Sequence, residues 1–153
     1  MARLERMHEG TRTHLENLPC PAFETTPFVQ APPAGQRRVA IVSTAGLHRR
    51  SDRPFGLGSD DYRVIPGDVT ANDLVMSHVS TNFDRTGFQQ DLNVLFPLDR
   101  LRDMARRGEI GSVASYHYSF MGATEPEKME TAARTLARLM KDDGVNVVLL
   151  VPV

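Results

Sequence analysis

The segment Val145 to Val151, VNVVLLV, is a nearly unbroken run of β-branched and aliphatic residues with Gly144 directly before it. A strand with one face in water alternates apolar with polar residues, so a run that is apolar on both parities reads as an interior strand of a parallel sheet. What precedes it restricts the fold further. Thr124 and Glu127 have the spacing of a capping box, with Pro126 in the first turn, and Met129, Ala132, Ala133, Leu136, Leu139 and Met140 recur on one helical face. These signals predict a helix over 125–142 that Gly144 stops, followed at once by a strand over 145–151. Helices that feed parallel strands imply an α/β architecture.

The other elements fit that frame. Arg38 to Ala45, RVAIVSTA, is a short β-branched run closed by Gly46, the pattern of a buried first core strand. Gly46 to Pro66 is rich in Gly, Asp, Arg and Pro and reads as a loop with a short strand at Tyr62 to Ile65. Asp73 to Val79, DLVMSHV, predicts a second strand. Pro97 then opens a helix over 97–107 whose Leu98, Leu101, Met104 and Ala105 share a face and which Gly108 ends. Ser112 to Phe120 has the period of two of a half-buried strand. The expected fold is therefore a three-layer, mostly parallel Rossmann-like sheet over 37–153, incomplete at its carboxyl end because the last strand has no covering helix after it. Residues 1–36 read as an appendage. Leu4, Met7, Thr11, Leu15 and Leu18 give a helical pattern over 3–18, and the five prolines between Pro19 and Gln36 give an extended arm.

Composition narrows the function classes. Lys and Arg total 18 against 19 for Asp and Glu, so no net field draws the chain to nucleic acid or to anionic lipid. Cys20 is the only cysteine, which excludes an internal disulfide framework, and the first ten residues lack the apolar core of a signal peptide; both favour a cytoplasmic protein. The apolar stretch 145–153 is too short to cross a bilayer.

Ligands of open α/β sheets bind beyond the carboxyl ends of the strands. His48 in TAGLHRR and His78 at the end of DLVMSHV fall near such positions, and His117 lies within the strand YHYSF; each imidazole has the pKa range for acid or base chemistry. Asp84 and Arg85 could orient a carboxylate or an amine, or simply form a surface ion pair. Asp91 and Asn93 precede a helix, where they face a cleft or cap it. No zinc spacing, GxGxxG, P-loop or GxSxG is present, so no metal is expected and no catalytic set is complete.

Taken together, VAIVSTAGLHRRSDRPF, SHVSTNFDRTGFQQDLNVLFPLDRLRDMARRGEIGSVASYHYSFMG and DGVNVVLLVPV resemble the selenoprotein B family of glycine, sarcosine, betaine and D-proline reductases, over roughly residues 38–153. The pattern DxNxxFPLDRL with GEIG and HYSFMG carries most of that resemblance. It implies a subunit that reductively cleaves the C–N bond of a small amino acid or amine, with a dithiol as electron donor. It also implies a redox selenocysteine, or a cysteine in its place, expected after Val153 at a recoded UGA codon, and partner subunits, one of them carrying a pyruvoyl group. Two other readings stand beside it. One is a non-catalytic binding or scaffold subunit that keeps the fold, and the other a stand-alone hydrolase or isomerase built on His48, His78 and Asp84.

Overall fold

A computed structural model of the chain describes residues 3–20, 22, 24–80 and 85–153. The strands are β1 (Arg38–Ser43), β2 (Leu47–Arg49), β3 (Arg63–Pro66), β4 (Leu74–Met76), β5 (Ser112–Val113), β6 (Tyr116–Ser119) and β7 (Val147–Val151). The helices are α1 (Glu9–Glu16), α2 (Thr86–Gln90), α3 (Leu98–Arg106) and α4 (Glu130–Asp142). The chain is α/β, and its main sheet is mixed, with three parallel ladders and one antiparallel. β1 is flanked in parallel by β7 on one side and by β5 and β6 on the other, while β3 runs antiparallel along β6.

Alternation along β1 divides the interior. Val39 and Ile41 pack with Leu98 and Leu101 of α3 and with Ile65 and Phe96. Val42, with Tyr118 and Phe120, packs with Leu136, Ala132 and Met140 of α4. α3 thus buries the stripe that its spacing predicted, whereas α4 buries Leu136 with Ala132 and Met140 partly covered and leaves Ala133 and Leu139 exposed. The ends of β1, β5 and α4 are stitched together by Arg38. Its guanidinium donates to the Asp143 carboxylate at 2.6 Å, the Asp143 carbonyl at 2.6 Å, the Val113 carbonyl at 2.8 Å and the Ser115 hydroxyl at 2.8 Å. Burial alone would raise the Asp143 carboxyl, but the hydrogen bonds from Arg38 and Ser115 outweigh it and hold the group below its usual range.

Several expectations need correction. The run 145–151 is an edge strand, not an interior one: β7 has β1 as its only ladder partner among the described residues, and Val148, Leu149 and Leu150 are exposed. The predicted strand over 112–120 is two pieces, because between Val39↔Val113 and Val42↔Tyr118 β1 advances three residues while its neighbour advances five. The surplus forms a bulge at Ala114 and Ser115. Nor is that strand half-buried, since His117 to Phe120 are buried on both faces. The strand over 73–79 shrinks to β4, which pairs antiparallel with β2 outside the main sheet. Thr124 makes no capping box; its hydroxyl donates to the Ser59 carbonyl at 2.6 Å, and a 3-10 turn, Pro126–Met129, leads into α4. Thr70 and Asp73 form a capping box instead. In the arm, a 3-10 turn (Leu4–Arg6) and α1 replace one continuous helix, and no described residue before Arg37 is buried.

Candidate functional site

β1 ends at Ser43, and three residues later the chain turns back at Gly46 with φ +66°. A side chain is disfavoured there on two counts, because a Cβ would be strained at this φ and would meet the His78 backbone nitrogen at 3.0 Å. The close approach lets the Gly46 carbonyl accept the Ser77 amide at 2.9 Å. It also starts the β2–β4 ladder, Leu47↔Met76, His48↔Val75 and Arg49↔Leu74. Two buried hydroxyls support the turn: Ser119 Oγ accepts the Leu47 amide at 2.8 Å and Ser43 Oγ accepts the Ala45 amide at 3.2 Å. At the same end of β1, the Val153 amide donates to Thr44 Oγ1 at 2.8 Å. Gly122 packs between the two, where a Cβ would lie 2.8 Å from the Thr44 carbonyl oxygen and 2.9 Å from that of Val153.

The ladder brings two of the three candidate histidines to this edge. His48 is buried, edge-on to Phe55, with Nδ1 2.7 Å from the Arg49 carbonyl oxygen and Nε2 2.7 Å from Ser77 Oγ. His78 is also buried; its Nδ1 accepts the Ser80 amide at 3.2 Å, and burial, then the nearby Arg85 charge, lowers its pKa. Arg85 donates to the carbonyls of His78 at 2.7 Å and Ser80 at 3.1 Å, so it braces this loop. Asp84 lies outside the described residues.

The remaining candidates stand elsewhere. His117 is fully buried inside the sheet, where its Nδ1 accepts the Ile41 amide at 2.9 Å, the donor that the bulge leaves without a strand carbonyl. Burial pushes its pKa down to about 4, and its ring stands edge-on to Phe96. Asp91 accepts both the amide and the side-chain NH2 of Asn93 at 2.9 Å, and these bonds hold its carboxyl below the usual range. The pair caps the 3-10 turn Leu92–Val94.

Sequence reasoning missed two features. Ser77 is adjacent to His78 in the chain but serves His48, 29 residues away, and no local pattern announces that bond. A cavity of about 860 Å³ lies between the β2 end and the bulge, lined by Arg49, Arg50, Asp68, Asp73, Ser115 and Tyr116. Hydrogen bonds from Thr70 hold the Asp73 carboxyl below its usual range. Because both guanidinium and carboxylate side chains line it, the cavity offers complementary charges to both ends of a small zwitterion.

Comparison with known proteins agrees with the motifs. The family model for glycine/sarcosine/betaine reductase selenoprotein B matches residues 61–153. The D-proline reductase subunit gamma of Acetoanaerobium sticklandii is 38% identical over 115 residues, which cover 73% of this chain and 47% of that protein. The sarcosine reductase complex component B subunit beta of Peptoclostridium acidaminophilum is 29% identical over 140 residues, covering 86% of this chain and 32% of the relative. The betaine reductase complex component B subunit beta of the same organism is 36% identical over 118 residues, 73% of this chain and 27% of the relative. This chain belongs to the glycine/sarcosine/betaine reductase selenoprotein B family. It spans less than half the length of these relatives. No solved structure matches it.

Proposed function

We propose that this chain forms part of a cytoplasmic reductase subunit that cleaves the C–N bond of a small amino acid or amine, of the glycine, sarcosine, betaine or D-proline class, at the expense of a dithiol. The observation that carries the reading is the match of residues 61–153 to the family, together with relatives whose names are those of reductase subunits. The redox centre is a selenocysteine, or a cysteine in its place, on sequence that in this family follows the strand equivalent to β7. A selenolate or low-pKa thiolate is the attacking species in such chemistry. Partner subunits, one with a pyruvoyl group, activate the substrate amine. The hydrogen bond between Val153 and Thr44 supports this placement, because it holds the end of β7 beside the Gly46 turn, where His48, Ser77 and His78 gather. The charged cavity suits the substrate class. In the whole subunit the sheet extends beyond β7 into a three-layer, Rossmann-like arrangement, with the apolar residues now exposed on β7 covered.

A second reading is a binding or scaffold subunit that keeps the family fold without redox chemistry. The experiment that separates the two uses the native protein from selenium-fed cells, purified with the subunits that accompany it and given each of the four substrates with dithiothreitol. Loss of substrate with matching dithiol oxidation, and selenium in the intact mass, supports the reductase. A complex that assembles, carries no selenium and leaves all four substrates intact establishes the scaffold.

A further inference from the structure

We propose that Ser77 is an activated nucleophile, with His48 as its general base, able to accept an acyl or phosphonyl group from an activated ester or fluoride. The hydrogen-bond geometry assigns the protons. The Arg49 carbonyl oxygen, 2.7 Å from His48 Nδ1, can only accept, so Nδ1 carries the hydrogen. In the neutral ring Nε2 then holds a lone pair, and the Ser77 hydroxyl at 2.7 Å must donate to it. A hydroxyl bonded to a histidine nitrogen, with the other nitrogen oriented by a third group, is the arrangement that activates a serine; here a main-chain carbonyl takes the orienting place.

The surroundings favour reaction over mere packing. His48 is only 3% exposed and packed against Phe55, so water competes little for the base, whereas Ser77 is only partly buried. Both backbones are fixed, His48 by its ladder pairing with Val75 and Ser77 by its amide bond to the Gly46 carbonyl at 2.9 Å. The step balances without an oxidant or reductant. As Ser77 Oγ bonds to the carbonyl carbon or phosphorus, its proton passes to His48 Nε2. The leaving group departs with the bonding electron pair, as fluoride, alkoxide or thiolate. The imidazolium keeps its Nδ1 hydrogen bond to the Arg49 carbonyl, which stabilises the charge, and then returns its proton to the leaving group or to solvent. This activity is separate from C–N bond reduction and needs none of the residues proposed to lie beyond β7.

The test is covalent labelling with a fluorophosphonate probe, the adduct being located by peptide mass spectrometry. The native chain should take up one equivalent, on Ser77, and the heat-unfolded chain none. Ser77→Ala should abolish labelling, and His48→Gln with an unchanged melting curve should slow it by about 10²-fold or more, the usual contribution of a general base. No adduct on the native chain overturns the proposal, as do adducts scattered over other hydroxyls or an undiminished rate in His48→Gln. If that variant does not fold, the site of the native adduct and its loss on unfolding decide alone.

Discussion

β1 and β7 lie side by side in parallel register, Ile41 opposite Leu149, and β7 is the more apolar of the two, yet it is β1 that is buried. Ile41 is fully buried, whereas Leu149 is 36% exposed and Leu150, opposite Val42, is 67% exposed. Side-chain chemistry does not account for this difference. β1 has a strand on each side and packs with α3 residues on one face and α4 residues on the other, while β7 is paired on one side only. A β-branched run says that a strand is to be buried, but what buries it is supplied by neighbours elsewhere in the chain or assembly.

The largest effect that tests this contrast is Ile41→Ala in the 153-residue chain. Deleting a fully buried side chain from the central strand should cost about 2–5 kcal/mol, read as a lower urea midpoint at an unchanged slope. A loss below about 0.5 kcal/mol would mean that β1 is not the centre of the core.

Next comes acid sensitivity, because the bulge beside β1 depends on a buried neutral imidazole. His117 has a folded pKa of about 4, below the ordinary 6.5, so its stabilising contribution is complete above about pH 6.5 and is lost as the pH falls toward 4. The linked loss is about 3 kcal/mol when fully expressed, and His78, whose pKa is also lowered by burial, adds in the same direction. Urea midpoints at about pH 7 and about pH 4.5 should differ accordingly, and His117→Gln, which keeps an acceptor for the Ile41 amide, should flatten most of the difference. An equally steep pH dependence in that variant would place the effect elsewhere.

The smallest effect belongs to β7. Leu150→Ser in the same chain should change stability by no more than about 0.5 kcal/mol, because the side chain is mostly in water already. Introduced into a complete reductase subunit, the same substitution should cost more if further structure covers this edge, so the pair of measurements sharpens the comparison with β1.

The elements with strong local signals are legible in the amino-acid sequence. The strands β1 and β7, the face of α3, the helix α4 and the stop at Gly144, which adopts φ +69°, follow from periodicity and from the residue type that best tolerates that φ. The family is legible as well, because a long irregular motif such as DxNxxFPLDRL is information held along the chain. Of the two readings of Asp91 and Asn93 the structure shows the cap, on a 3-10 turn, and His117 mends a bulge within the sheet rather than standing at its carboxyl edge.

What only the tertiary structure decided has one physical origin: contacts between groups far apart in sequence leave no local period to read. Arg38 meets Asp143 across 105 residues, the two-residue surplus at Ala114 and Ser115 appears only when that strand is laid against β1, and Ser77 finds His48 only because Gly46 lets the two backbones close. By itself the sequence determined the strands β1 and β7, the helices α3 and α4, and the family they belong to. The three-dimensional packing determined which strand became an edge, which histidine is locked inside the sheet, and which one holds a serine.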